Sequence, residues 1–337
     1  MPNKRPASAV ALRVSCAAFA LGAVCSAPTA AQHPQPTVFS PGVISGPAND
    51  LSPAFTPDGR TVFFTRANSS ESLILISHLS GGKWSTPAIA SFSGKWRDLE
   101  PTMAPDGSFL IFASNRPATN GGKALDAYYN GAPQPGIGGN LWRVDHTAAG
   151  WGEPHRLPDV VNANGSIFSP SIAADGSVYF MKPTGAQARF HIFRAQFSHG
   201  TYETPVAVPI AAGEDAGDYD PAVAPDESFI VFSSGRMKAN GTSLFIARKK
   251  GGTWDTPAYM GTEISPPQSN DIEARLGRDH RTLYFSTRRE VPTGWENGVT
   301  GQKGLAMMEA WNDGLSNIWE VSLDTWLGAT PDPAARR

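Results

Sequence analysis

A chain of 337 residues with 40% hydrophobic composition is long enough to bury a sizeable core. Its formal charge of −2 excludes a basic surface built for nucleic acid or anionic membrane. Residues 1–31 read as an export signal: Lys4, Arg5 and Arg13 precede the apolar run Val14 to Val24, and Thr29-Ala30-Ala31 offers small residues for cleavage. That run is too short to span a bilayer, so no membrane span is expected. Both cysteines, Cys16 and Cys25, lie inside this leader, which leaves the mature chain without a disulfide. Lipid attachment at Cys25 is disfavoured, because Gly22-Ala23-Val24 matches a lipobox poorly.

After a spacer over 32–37, one phrase organises residues 38–328; residues 329–337 form a Pro/Ala/Arg tail expected to be disordered. The phrase is an apolar segment, a tight turn and a second apolar segment. It is clearest at Ser52-Pro53, turning at Pro57-Asp58-Gly59, and at Glu100-Pro101, turning at Pro105-Asp106-Gly107. It returns at Ser169-Pro170 with Ala174-Asp175-Gly176, and at Asp220-Pro221 with Pro225-Asp226-Glu227. A worn copy at Glu273-Ala274 turns at Arg278-Asp279-His280. Pro presets φ, Asp bonds nearby backbone N–H groups and Gly accepts positive φ, so the turn is a hairpin. The second segments, such as Val62 to Phe64 and Phe109 to Phe112, are apolar on both pleat faces and must be covered on both sides.

A third segment follows in each copy (Ser72-Leu73-Ile74, Asn140-Leu141-Trp142, His191-Ile192-Phe193, Ser243-Leu244-Phe245, Asn317-Ile318-Trp319). A fourth carries an aromatic with a proline three residues on: Trp84/Pro87, Trp151/Pro154, Tyr202/Pro205 and Trp254/Pro257. Proline belongs at a sheet edge, where an outer strand sits. Four strands per repeat of about fifty residues predict an all-β chain, a β-propeller of four-stranded blades. The fifth repeat lacks a fourth strand and Val38 to Pro41 supplies one, so five blades closed by the N-terminal strand are predicted; six if the long insertions hide a blade. The insertions are Pro117 to Gly139 and Arg289 to Gly314; in the latter, Leu305 to Trp311 suits a turn or two of helix.

Pro-Asp-Gly between two apolar strands resembles the WD40-like, or PD40, repeat of TolB-like propeller proteins, over nearly all of the chain from about residue 38 to 327. The resemblance implies the propeller fold. It leaves function open, because the same repeat serves binding proteins and enzyme-associated propellers.

Acids cluster just before each inner strand. One residue ahead of the Pro/Ala anchor stand Ser52, Glu100, Ser169, Asp220 and Glu273; three ahead stand Asp50, Asp98, Ile167, Asp218 and Asp271. Residues two apart on a strand point the same way, so each pair is expected to project together. Arg66, Arg116, Arg236 and Arg288, with Lys182 in the third copy, follow the second strands and meet the acids at one channel mouth. Arg–carboxylate pairs there would fasten the ring; surplus carboxylates would suit Ca²⁺ in the central channel or sugar hydroxyls. No cofactor is otherwise expected.

The histidines form no metal-ligand pair and no Gly-x-Ser-x-Gly occurs, so neither a zinc site nor a serine-hydrolase domain is expected. The sequence thus predicts a monomeric periplasmic or secreted scaffold, without catalytic residues, binding a protein or small polar ligand at the channel mouth. The alternative is a hydrolase, glycosidase-like or a metal-centred lactonase-like enzyme, in which Glu100, Asp220 and Glu273 supply the acid and base or nucleophile.

Overall fold

The computed structural model describes residues 34–211, 213, 216–237, 241–266, 269–293 and 301–328. The leader over 1–31 and the tail over 329–337 lie outside the described residues.

Five antiparallel sheets follow one another along the chain. The first carries the strands Asn49–Phe55, Thr61–Ala67 and Ser72–Ser80 from the centre outward, and the second Asp98–Met103, Phe109–Ser114 and Asn140–Thr147. The third carries Phe168–Ile172, Val178–Thr184 and Arg189–Ala195, and the fourth Asp218–Val223, Phe229–Ser234 and Ser243–Lys250. The fifth has Ile272–Leu276, Thr282–Thr287 and Asn317–Ser322. Each inner strand lies beside the next, and the fifth lies beside the first. The chain is a five-bladed β-propeller.

Closure falls to the N-terminal strand. Thr37–Val38 pairs antiparallel with Glu320 and Trp319 of the last blade, supplying its outer strand. Elsewhere the outer strand is split. Lys83–Trp84 and Ala88–Ile89 both pair with the third strand of blade 1, and Pro87 sits in the gap because it has no N–H for the ladder. Gly150–Trp151 with His155–Arg156, and Thr253–Trp254 with Ala258–Tyr259, repeat the device.

The two-faced second strands explain where the core lies. In blade 1, Phe63 faces the seam toward blade 2, whereas Val62 and Phe64 face the seam toward blade 5. In blade 4, Val231 faces blade 5 while Ile230 and Phe232 face blade 3. Every seam is therefore a two-sided apolar layer. Trp84, Trp151 and Trp254 each pack into the seam with the preceding blade.

The insertions carry structure that period-reading does not find. Within 117–139, Ala127–Tyr129 and Ala132–Gln134 form a hairpin turned by Asn130-Gly131, both at positive φ (52° and 73°). Asn-Gly is the preferred sequence for that two-residue turn. Within 289–314 a helix runs over Gly301–Ala310, longer than the expected turn or two.

Candidate functional site: a carboxylate hub in the central channel

The inner strands do not hold the paired acids on one face. Each has a register shift at the anchor, as between Leu99 and Thr102 or Tyr219 and Ala222. The residue ahead of the anchor takes positive φ in every blade: Ser52 50°, Glu100 57°, Ser169 51°, Asp220 53°, Glu273 58°. A bulge of this kind rotates one side chain off the pleat. The expectation that each pair projects together is overturned, and the two sets of acids do different things.

The outer set is tied within its own blade. Asp50 accepts from Arg66 Nε at 2.7 Å, Asp98 from Arg116 Nη2 at 3.1 Å and Asp218 from Arg236 Nη2 at 2.8 Å. Asp271 pairs with Arg289 at 2.8 Å and not with Arg288, which is exposed. One residue further along the strand end points the side chain back over the blade, where Arg289 also covers the Phe285 ring. The arginines reach on to the segment that enters their blade: Arg66 donates to Ile44 O, Arg116 to Phe92 O and Arg236 to Ile210 O. In blade 3, which has Ile167 in place of the acid, Lys182 instead lies over the Phe193 ring at 4.1 Å. Burial outweighs these partners for Asp50, whose carboxyl is pushed up to about 6, and raises that of Asp98.

The inner set turns into the channel and links neighbouring blades. Glu100 Oε2 accepts from the backbone N–H of Ser169 at 2.6 Å, and Asp220 Oδ2 from that of Glu273 at 2.9 Å. The Ser169 hydroxyl donates to Asp220 Oδ1 at 3.0 Å, and the Ser52 hydroxyl donates to Glu273 Oε2. One oxygen from each of Glu100, Asp220 and Glu273 lies within 4.8 Å of the others. All three are buried, at 4%, 4% and 7% exposure, so they form a hub inside the ring rather than a group at an open mouth. Burial, reinforced by the neighbouring carboxylates, pushes Glu100 up to about 7 and Glu273 well above the carboxylate range.

The residue that sequence reading missed is Arg275. Its Nη2 donates to Glu273 Oε2 and Ser169 Oγ, both at 3.3 Å, and its Nη1 to Ala274 O at 2.7 Å. A signal was present: the same repeat position holds the small residues Ala54, Thr102, Ser171 and Ala222 in the other blades. The three carboxylates have the donor type and proximity to hold a divalent cation, but Arg275 already brings a positive charge to the same oxygens.

Beyond the hub, at the Pro-Asp-Gly end of the channel, lies a cavity of about 120 Å³ to which all five inner strands contribute. This is the end opposite the expected acid–arginine mouth.

No protein-family model matches the chain, and no curated protein matches it. Among solved structures it is similar to a protein assigned as a TolB from Agrobacterium tumefaciens, at 16% identity and a TM-score of 0.45, covering 72% of this chain and 70% of that one. It is similar to TolB from Acinetobacter baumannii at 17% identity and a TM-score of 0.39, covering 63% of this chain and 46% of that one. It is also similar to an α-L-arabinofuranosidase from Podospora anserina, solved with cellotriose, at 13% identity and a TM-score of 0.48, covering 86% and 96%. What the chain is, its own five sheets define: a five-bladed propeller with a carboxylate hub.

Proposed function

We propose that the chain is an exported, monomeric binding propeller, a scaffold for a protein or small polar ligand in the cell envelope, and not a hydrolase. One observation carries the choice. The groups a hydrolase would need, Glu100, Asp220 and Glu273, are buried, and each gives at least one oxygen to a hydrogen bond that joins one blade to the next. A retaining glycosidase holds two carboxyls about 5–5.5 Å apart on either side of its substrate; here one oxygen from each of three buried carboxyls lies within 4.8 Å of the others. Of the acids and arginines expected at the channel, Asp50, Asp98, Asp218 and Asp271 with their arginines fasten the blades. The hub groups instead set the charge of the channel behind the cavity.

The test is a panel of aryl glycosides and lactones given to the mature protein, alongside a thermal-shift screen of small polar ligands. Ligand-dependent shifts without turnover are expected. Turnover that disappears in Glu100→Gln or Glu273→Gln would overturn the binding reading.

A further inference from the structure

The cavity at the turn end of the channel has a composition unlike the rest of the chain. None of its lining residues is Asp or Glu, although the chain as a whole carries a net charge of −2. Its wall includes the apolar Phe55, Met103 and Ile172, and three of its polar members are Arg275, Arg278 and His280. Arg275 is 4% exposed. Three of its five N–H donors are taken by Ala274, Ser169 and Glu273, and its Nε–H, also buried, has no acceptor. A buried guanidinium donor left unpaired costs free energy unless something accepts from it.

The rim is also basic. Arg278 is exposed and reaches from blade 5 across the blade 1 turn, where a Cβ on Gly59 would meet its Cδ and Nε at 2.6 Å. Gly59 suits its φ of 68° and leaves room for that side chain beside the turn. Asp58 in the same turn shares some of the Arg278 charge but does not line the cavity. Burial keeps His280 below the ordinary histidine range, so near neutrality it offers a neutral imidazole. The hub carboxylates do not line the cavity either. Burial holds Glu100 and Glu273 protonated to higher pH, which trims negative charge behind Arg275.

We infer that this cavity is a carboxylate-binding site, taking a carboxylate on a short apolar stem with its oxygens toward Arg275 and its stem against the apolar wall. The inference rests on the binding reading above and gives that reading a ligand class. Size sets the stem length: a cavity of 150 Å³ takes a benzene, so about 120 Å³ suits a ligand of roughly five or six non-hydrogen atoms. Propionate and butyrate fit, as does a glutamate side chain presented by a peptide.

Titration of the mature protein with butyrate, followed by NMR shifts and by melting temperature, tests the site against butyramide, which has the same shape without the charge. Butyrate is expected to bind about tenfold more tightly than butyramide, the discrimination of one charge-assisted hydrogen bond. Arg275→Gln is expected to remove that preference. Because Arg275 also touches the hub, Arg278→Ala at the exposed rim provides a second variant, expected to weaken butyrate while leaving the melting temperature of the free protein unchanged. A parallel titration with a glutamate-containing peptide separates the sources, since binding by either supports the site and the tighter one names its carrier. Equal binding of butyrate and butyramide, or butyrate affinity unchanged in both variants, overturns the carboxylate site and leaves the scaffold reading standing. Turnover in the hydrolase panel would do the reverse.

Discussion

At the residue scale, one backbone conformation decides what each acid does. A non-glycine residue at positive φ costs about 1–2 kcal/mol, and the ring adopts it at the residue before each of the five anchors. The offset is visible: each rotated side chain bonds a neighbouring blade or lines the hub. Asp218 in the outer set and Glu100 in the inner set should therefore respond oppositely to neutralisation. Asp218→Asn leaves Arg236, which donates to it at 2.8 Å, without its counter-ion, and a melting experiment should show a loss of about 3 kcal/mol. Glu100→Gln keeps an oxygen for the Ser169 N–H but removes a crowded charge, so it should raise the melting temperature at pH 8. The pH profile follows from the same groups. Glu100, Glu273, Asp50 and Asp98 all hold protons more tightly folded than unfolded. Their contribution to stability is complete below the unfolded values, near pH 4, and is lost as pH rises through the folded values of about 6 for Asp50 and about 7 for Glu100. Melting temperature should therefore fall between pH 5 and pH 8, and the fall should be shallower in Glu100→Gln. A profile rising over that range would contradict the raised values.

At the scale of elements, the propeller depends on a strand supplied from the far end of the chain. Thr37–Val38 covers the last blade, Phe39 N donates to Ile318 O, and Phe39 packs edge-on against Tyr284. A truncation beginning at Gly46 removes this strand together with Ile44, which is fully buried in the seam between blades 5 and 1. The outer edge of Asn317–Ser322 would then be exposed. The truncated protein should aggregate or melt well below the mature form by circular dichroism; equal melting would show that closure does not depend on it. The worn turns make a finer point. Where Pro-Asp-Gly gives way to Pro225-Asp226-Glu227, Glu227 keeps positive φ at 57° and its carboxylate binds Arg194 at 2.6 Å and Lys249 at 2.7 Å. Two cations joined across the turn take the place of glycine's conformational freedom.

At the scale of the whole molecule, five seams carry the core, and the described residues contain no cysteine. The mature protein is expected to begin near residue 32 and to lie outside the cytoplasm. Intact-mass measurement of exported material should show loss of about 31 residues, the length the leader pattern marks off, and no acyl mass; an acylated N-terminus at Cys25 would replace this with a lipoprotein. Light scattering should return the mass of a monomer.

The sequence by itself determined the architecture. Repeat spacing, two-faced strands such as Val62 to Phe64 and prolines such as Pro87 are local patterns, and their period gives a propeller of five or six blades closed by the N-terminal strand; the structure, in which the strands of the first insertion form a separate hairpin, decides for five. It also placed Asp50, Asp98 and Asp218 beside Arg66, Arg116 and Arg236, because antiparallel register follows from a tight turn. Tertiary structure alone decided the rest. A one-residue bulge is invisible in the alternation of side chains, yet it sent Glu100, Asp220 and Glu273 away from their neighbours and into the channel. The pairing of Asp271 with Arg289 rather than Arg288 turned on one residue of strand-end twist. Arg275 became a partner of Ser169, 106 residues away in the sequence, only because ring closure brings the fifth blade's inner strand across the channel from the third.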